Sequence, residues 1–340
     1  MKYKLLICHH YMPTEKAGGI TSVMRNMEPY LKDAFDVTYM TLPKSWQHGS
    51  TRAAYFLYVW LHRKEFKKYD AVLSHVPESS YWMVKSGVPC IHVYHGDGHP
   101  MRGGAWIKKL FIPLYDHILN TINTRASIVY CVGKKRKPAD KKLYNPLIQN
   151  VKPLPLEKRK GLVFTGRLVD LKRVNRLIDI YSKLPEEIRK DNPFYIIGDG
   201  YDRPMLENQV LDLGLDEQVV FVGSLPNSEM MKAVSDKRLL LMASTTEGFP
   251  TSIAEAFSVG VPAISTDVGS VTSVLTDNVN GFILPKEFND DDYVKDIEIV
   301  LKNYDRFAQA ALESSKVFNA ERVTKGVIND LIKLIEENAR

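Results

Sequence analysis

The sequence is poor in several features, and each shortage narrows the reading. Its 340 residues contain three cysteines, Cys8, Cys90 and Cys131, far apart and with no Cys-x-x-Cys pair. That odd, scattered set argues against a disulfide scaffold and a thiolate metal site, and it fits a reducing compartment. No apolar run approaches the eighteen or so residues of a membrane span, since the longest candidate, Ala53 to Leu61, is half that. A secretory leader is not expected either: Leu5 to Cys8 follow Lys2 and Lys4 and run into two histidines, which reads as a first strand. Repeats and low-complexity tracts are absent, as is a Gly-x-Gly-x-x-Gly after the first strand, which disfavours a nicotinamide oxidoreductase. No interleaved aromatic and basic motif of a nucleic-acid module is found.

What is there belongs to a soluble globular chain long enough for two domains of about 150 residues each. Charge is unevenly shared. Residues 1 to 155 carry 23 Lys and Arg against 10 Asp and Glu, hence +13, and the whole chain's 46 and 40 leave 23 and 30 for the rest, hence −7. Such asymmetry points the N-terminal half toward an anionic surface or acceptor, the plain alternative being solvated lysines. Two aromatic-basic segments add to this: Arg52 to Lys68, and residues 105 to 123 with Trp106, Leu110, Phe111 and Leu114 beside Lys108 and Lys109. Each is a helix buried in the first domain or one lying on a bilayer. Pro113 is expected to kink the second. Six cations between Lys134 and Lys142 read as a surface feature.

The chain is organised around residues 238 to 266. Leu239 to Ala243 is of strand length, Gly248 and Pro250 hold the next segment out of a helix, and Ile253, Ala254, Phe257 and Ser258 then share one helical face. Pro250 suits the first helical position, Gly260 ends the helix, and Val261 to Ser265 is the next strand. This strand-loop-helix order aims the amides of Phe249, Thr251 and Ser252 above the sheet, as an anion site. Glu247 and Glu255 bracket it, about 12 Å apart were the span all helical, which suits two ends of one elongated ligand. Two solvated acids around an ordinary helix are the plain alternative.

The stretch Glu247-Gly-Phe-Pro-Thr-Ser-Ile-Ala-Glu255 resembles the Glu-x7-Glu signature of retaining GT-B glycosyltransferases of family 4 type. That resemblance implies an α/β fold of two Rossmann-like domains with parallel sheets facing across a cleft. The domains would be residues 1–155 on the acceptor side, 156–310 for the nucleotide sugar, and a helical segment 311–340 crossing back onto the first. It implies that Glu247 contacts the donor sugar and Glu255 the ribose hydroxyls, with Gly248, Phe249, Pro250, Thr251 and Ser252 lining the donor site. Gly166-Arg167-Leu, three residues, then Lys172 resembles the family's diphosphate clamp, although Arg173 stands where a glycine is usual. A guanidinium and an ammonium suit a diphosphate, one through paired hydrogen bonds and one as a point charge. Ser224 and Leu225, after a strand at Val219 to Val222, fall where the family places the nucleobase. Gly18 and Gly19, at the first strand-to-helix turn, fall beside the donor phosphates or the acceptor, and His95, after the fourth strand, near the reacting sugar, with His99 in reserve. Asp267-Val-Gly269-Ser270 departs from the commoner Gly-Gly before the next helix.

The expected activity is transfer of a sugar from a UDP- or GDP-sugar to a glycan or lipid-linked acceptor with retention, without a metal or other cofactor. Glu247, His95, Arg167 and Lys172 are the candidate catalytic residues, and the role is expected in bacterial surface polysaccharide or glycolipid synthesis. The setting is expected to be cytoplasmic, with a peripheral position on the inner face of the plasma membrane. A sugar-nucleotide 2-epimerase shares this plan, would need no acceptor, and would isomerise the donor alone; a non-catalytic nucleotide-sugar-binding module would not hydrolyse it.

Overall fold

The computed structural model describes residues 2–14, 19–47, 51–95, 101, 109–132, 136–148 and 151–339. The chain divides into two compact units, residues 1–148 with 320–340, and residues 149–319. Each is built on a sheet of six strands, every pairing parallel.

In the first unit the strands are β1 (Lys4–Cys8), β2 (Asp36–Met40), β3 (Ala71–Ser74), β4 (Cys90–Tyr94), β5 (Ile128–Val132) and β6 (Lys141–Leu143). They lie in the order β2-β1-β3-β4-β5-β6. The central strands β3 and β4 are buried along their whole length, whereas edge strand β2 alternates, as expected of a parallel sheet covered on both faces. Helices α1 (Gly19–Ala34), α2 (Thr51–Leu61), α3 (Pro77–Ser86) and α4 (Ile112–Arg125) cover it. Pro113 sits in the first turn of α4, where its missing N–H falls among donors with no helical acceptor. Residues 102–108 of the expected helix lie outside the described residues, Trp106 and Lys108 among them. The basic run after β5 is partly tied down: Arg136 lies 3.8 Å over the Tyr94 ring and Lys141 pairs with Asp330 at 2.6 Å.

The second unit has β7 (Leu162–Thr165), β8 (Phe194–Ile197), β9 (Val219–Gly223), β10 (Leu239–Leu241), β11 (Ala263–Thr266) and β12 (Gly281–Leu284). Their order is β12-β11-β10-β7-β8-β9. The helices are α5 (Val174–Ser182), α6 (Glu186–Asp191), α7 (Arg203–Asp212), α8 (Asn227–Ser235), α9 (Thr251–Ser258), α10 (Asp290–Lys302) and α11 (Tyr304–Ser315). A core of Phe164, Leu177, Ile196, Leu239, Ile264 and Tyr293 joins sheet to helices. The chain leaves β7 toward β8 and β9, then returns to pair β10 on the other side. β7 and β10 therefore flank the point where strand order reverses, where open α/β sheets bind ligands at the carboxyl ends of their strands. The final helix α12 (Ala320–Asn338) belongs to the first unit, packing on α1 and burying Val327 and Leu331.

Candidate functional site

The loops after β7 and β10 meet at that reversal. Gly166 continues β7 with φ of 154°, and at Gly198 a Cβ would stand 1.8 Å from the Gly166 carbonyl oxygen, so only glycine lets the β7 and β8 ends abut. The β7 loop turns back over Asp170–Lys172, and the Thr245 amide donates to the Leu171 carbonyl at 2.9 Å, fastening the two loops together. This brings Lys172 Nζ to Glu247 Oε1 at 2.5 Å, and Ser244 Oγ donates to the same oxygen at 2.7 Å. Lysine and glutamate side chains are 19% and 11% exposed, enough for a ligand to reach them.

Arg173 takes φ 48° and ψ 44°, the left-handed conformation that glycine would adopt freely. Its guanidinium holds the turn by donating to the Ala243 carbonyl at 2.6 Å and the Lys286 carbonyl at 2.7 Å. The turn therefore keeps its shape without the usual glycine. Arg167 is exposed, with no hydrogen bond or ion pair to Lys172, Glu247 or any other described side chain.

Helix α9 begins at Thr251, so Pro250 is its N-cap and not its first helical residue. The anion site is correspondingly altered. The Thr251 amide donates to the Phe249 carbonyl at 2.9 Å and is not free for a ligand, while Phe249 and Ser252 amides have no backbone acceptor among the described residues. A Cβ on Gly248 would meet nothing within 4 Å, so that glycine opens space beside Glu247. The Phe249 ring packs edge-on against Phe318, centroids 5.9 Å apart, and the Ser252 hydroxyl lies 3.3 Å from the Met242 sulfur. Gly269 presses on the loop from behind: with φ of 59°, its Cβ would fall 1.9 Å from the Glu247 carbonyl oxygen.

At the helix's far end Glu255 is half-buried and accepts from Asn227 Nδ2 at 2.9 Å. Burial pushes its carboxyl up to about 7, against the Asn227 hydrogen bond, which lowers it. Asn227 follows the β9 loop, where Ser224 is exposed and Leu225 half-buried, so the proposed base and ribose contacts share one edge. Ser244, Gly269 and Asn227 were not singled out as site residues. The small Ser244 at a strand end, three residues before Glu247, was the available signal.

In the first unit the adjacent strands β1, β3 and β4 end in His9-His10, His75 and His95. His95 Nε2 and His75 Nδ1 are 2.8 Å apart. Burial, then the nearby His9, lowers His95 to about 3, so it is a neutral imidazole at pH 7. Gly19 is the first residue of α1, and Gly18 and His99 lie outside the described residues. Among the described residues no group of three His, Cys, Asp or Glu is placed to hold a metal ion. No described helix is long and apolar enough to cross a membrane.

Residues 148–315 match the family model described as glycosyl transferases group 1. The lipopolysaccharide 1,6-galactosyltransferase of Salmonella typhimurium is 35% identical over 132 residues, which is 37% of this chain and 36% of that protein. The O-antigen biosynthesis glycosyltransferase WbnH of Escherichia coli is 25% identical over 243 residues, 68% of this chain and 66% of its own. The match thus spans about a third of the first relative's length and just under two thirds of the second's. HepE of Anabaena, solved in complex with UDP, superposes with a TM-score of 0.72 at 17% identity, covering 98% of this chain and all of its own. At that identity the likeness bears on the fold, which is GT-B.

Proposed function

We propose that this chain, whose residues 148–315 carry the group 1 glycosyltransferase domain, is a retaining, metal-independent glycosyltransferase. It moves a sugar from a UDP- or GDP-sugar to a glycan or lipid-linked acceptor in bacterial surface polysaccharide or glycolipid synthesis. The observation that carries the reading is the pairing of Lys172 with Glu247 across the β7 and β10 loops, where the strand order reverses. The names of the relatives, a lipopolysaccharide galactosyltransferase and an O-antigen glycosyltransferase, support the substrate class.

As the sugar leaves, negative charge grows on the departing diphosphate, and cations already held in place stabilise that charge more than they stabilise the ground state. In this proposal Lys172 turns from Glu247 to the diphosphate when donor binds, and exposed Arg167 closes on the same phosphates. The free amides of Phe249 and Ser252 add fixed dipoles, and Glu247, held by Ser244, is released to the sugar hydroxyls and the oxocarbenium-like charge. Glu255 accepts from the ribose. His95, neutral, is available on the acceptor side as a hydrogen-bond partner. A panel of nucleotide sugars in a thermal-shift experiment tests the donor assignment: a ligand at a hundred times its Kd adds about 2.7 kcal/mol of stability. UDP- or GDP-sugars should raise the Tm, and ADP-sugars or NAD alone doing so would refute it.

Peripheral membrane binding belongs to the same proposal. Leu110, Phe111 and Leu114 are each more than half exposed beside Lys109, in the unit with the positive surplus. Anionic vesicles should sediment the protein at low salt and neutral vesicles should not, and Phe111→Asp should cut the bound fraction at least about fivefold.

A further inference from the structure

The first unit contains a cavity of about 250 Å³ lined among others by Arg52, His75, His92, His95 and Arg136. It stands at the carboxyl ends of β3 and β4, next to β1, where the first sheet reverses its order. Arg52 is fixed there by Glu78, whose side chain is 1% exposed and accepts from Arg52 Nη1 at 2.9 Å. Among the described residues the hydrogen bonds of Arg52 to Glu78 and Tyr115 both use Nη1, which leaves Nε and Nη2 with donors to offer. The buried acid orients the guanidinium without occupying it. His92 is fully buried and its Nδ1 meets Ser80 Oγ at 2.6 Å, yet among the described residues its Nε2 has no hydrogen-bond partner. A buried polar atom normally has a partner, and His92 lines the cavity.

The His75–His95 pair adds a further property. With one proton shared between Nδ1 and Nε2, one outer nitrogen donates and the other accepts; after uptake of one proton both outer nitrogens donate and the pair is positive. Close to the pair are His9 from the β1 end and His92 from β4, and Arg52 from α2, Tyr94 from β4 and Arg136 after β5 line the same cavity, with Glu78 of α3 behind Arg52. Burial first, and neighbouring imidazoles second, keep His75 neutral. An entering anion would reverse that balance.

We propose that this cavity is an oxyanion site that binds a phosphate group of the acceptor, with Arg52 and Arg136 as fixed cations and the His75–His95 pair as donors. The word acceptor rests on the glycosyltransferase reading; the phosphate site does not. Calorimetry of the full chain with inorganic phosphate tests the site directly. Saturable binding is expected, weakened at least tenfold by Arg136→Gln and by His75→Asn, with the Tm rise caused by UDP unchanged in both variants as the control for folding. Absence of saturable binding in the wild type, or equal binding in the variants, would show an adventitious ion only and overturn the site. For the acceptor, transfer to a sugar carried on an alkyl diphosphate is compared with transfer to the alkyl glycoside of the same sugar. The diphosphate-linked acceptor should lead at least tenfold in kcat/KM and lose that lead in Arg136→Gln. Bound phosphate with no such preference would overturn the acceptor role. Phosphate bound through Arg136 in a protein that transfers no sugar would support the site while removing the glycosyltransferase reading.

Discussion

Glu255 is the residue whose protonation is most open to test. Its folded pKa is raised by burial from about 4.5 to about 7, so the folded state keeps a proton that the unfolded state releases near the usual carboxylate value. Between those two pH values the folded state binds more protons, and stability must fall as pH rises through the window. Glu255→Gln removes that dependence. The variant should melt above the wild type at pH 8, by about 1 to 3 kcal/mol, and the gap should close as the pH approaches 4.5. A wild-type Tm flat between pH 5 and 8 would contradict this. The same substitution should weaken UDP binding, because the amide cannot give the ribose a charged acceptor.

Arg173 shows how far residue identity can be read without structure. The sequence flagged it only as a departure from a glycine. Its left-handed backbone and its bonds to the Ala243 and Lys286 carbonyls depend on segments 70 and 113 residues away. Non-local compensation of this kind leaves no local signature.

Among the elements, the strand-loop-helix unit around Glu247 was legible because each part has a local cause: an apolar run, a Gly and a Pro that exclude helix, then apolar residues at helical spacing. The start of α9 was placed one residue early, since Pro250 is acceptable at either position. Occupation of the Thr251 amide was not legible, because it follows from the tight turn over Pro250. A proline between apolar residues, such as Pro113 in the first turn of α4, reads alike whether it starts a helix or bends one. The role of Gly269 was hidden as well, since its contact lies on the neighbouring strand's loop. Gly269→Ala must displace the Glu247 carbonyl or lose its positive φ, and it should cost at least about 2 kcal/mol of stability. Turnover should drop with it while Arg173→Ala, behind the other loop, loses stability first. Urea unfolding and initial rates measure both, and a Gly269→Ala protein with wild-type stability and rate would show that the loop is not pressed as described.

For the whole molecule, the two sheets and their parallel strands follow from the alternation of buried strands and helices along the chain. Helix α12 is held to the first unit by side chains of β5 and β6. Asp330 on that helix accepts from Tyr130 at 2.5 Å and from Lys141 at 2.6 Å, and Leu331 is fully buried. Truncation after Asn319 should therefore destabilise the first unit while leaving the second able to bind nucleotide. The expected result is loss or marked lowering of one melting transition, with a UDP-sensitive transition retained; loss of UDP binding on truncation would contradict the division.

In the proposed reaction the paired loops of the second unit grip a sugar nucleotide and ease loss of its diphosphate. The most direct measurement is turnover at saturating UDP- or GDP-sugar for Lys172→Ala, Arg167→Ala and Glu247→Gln, each checked for a wild-type Tm. A fall of at least about tenfold in each, equal to roughly 1.4 kcal/mol of barrier, is predicted. Rates within twofold of wild type for all three would contradict it.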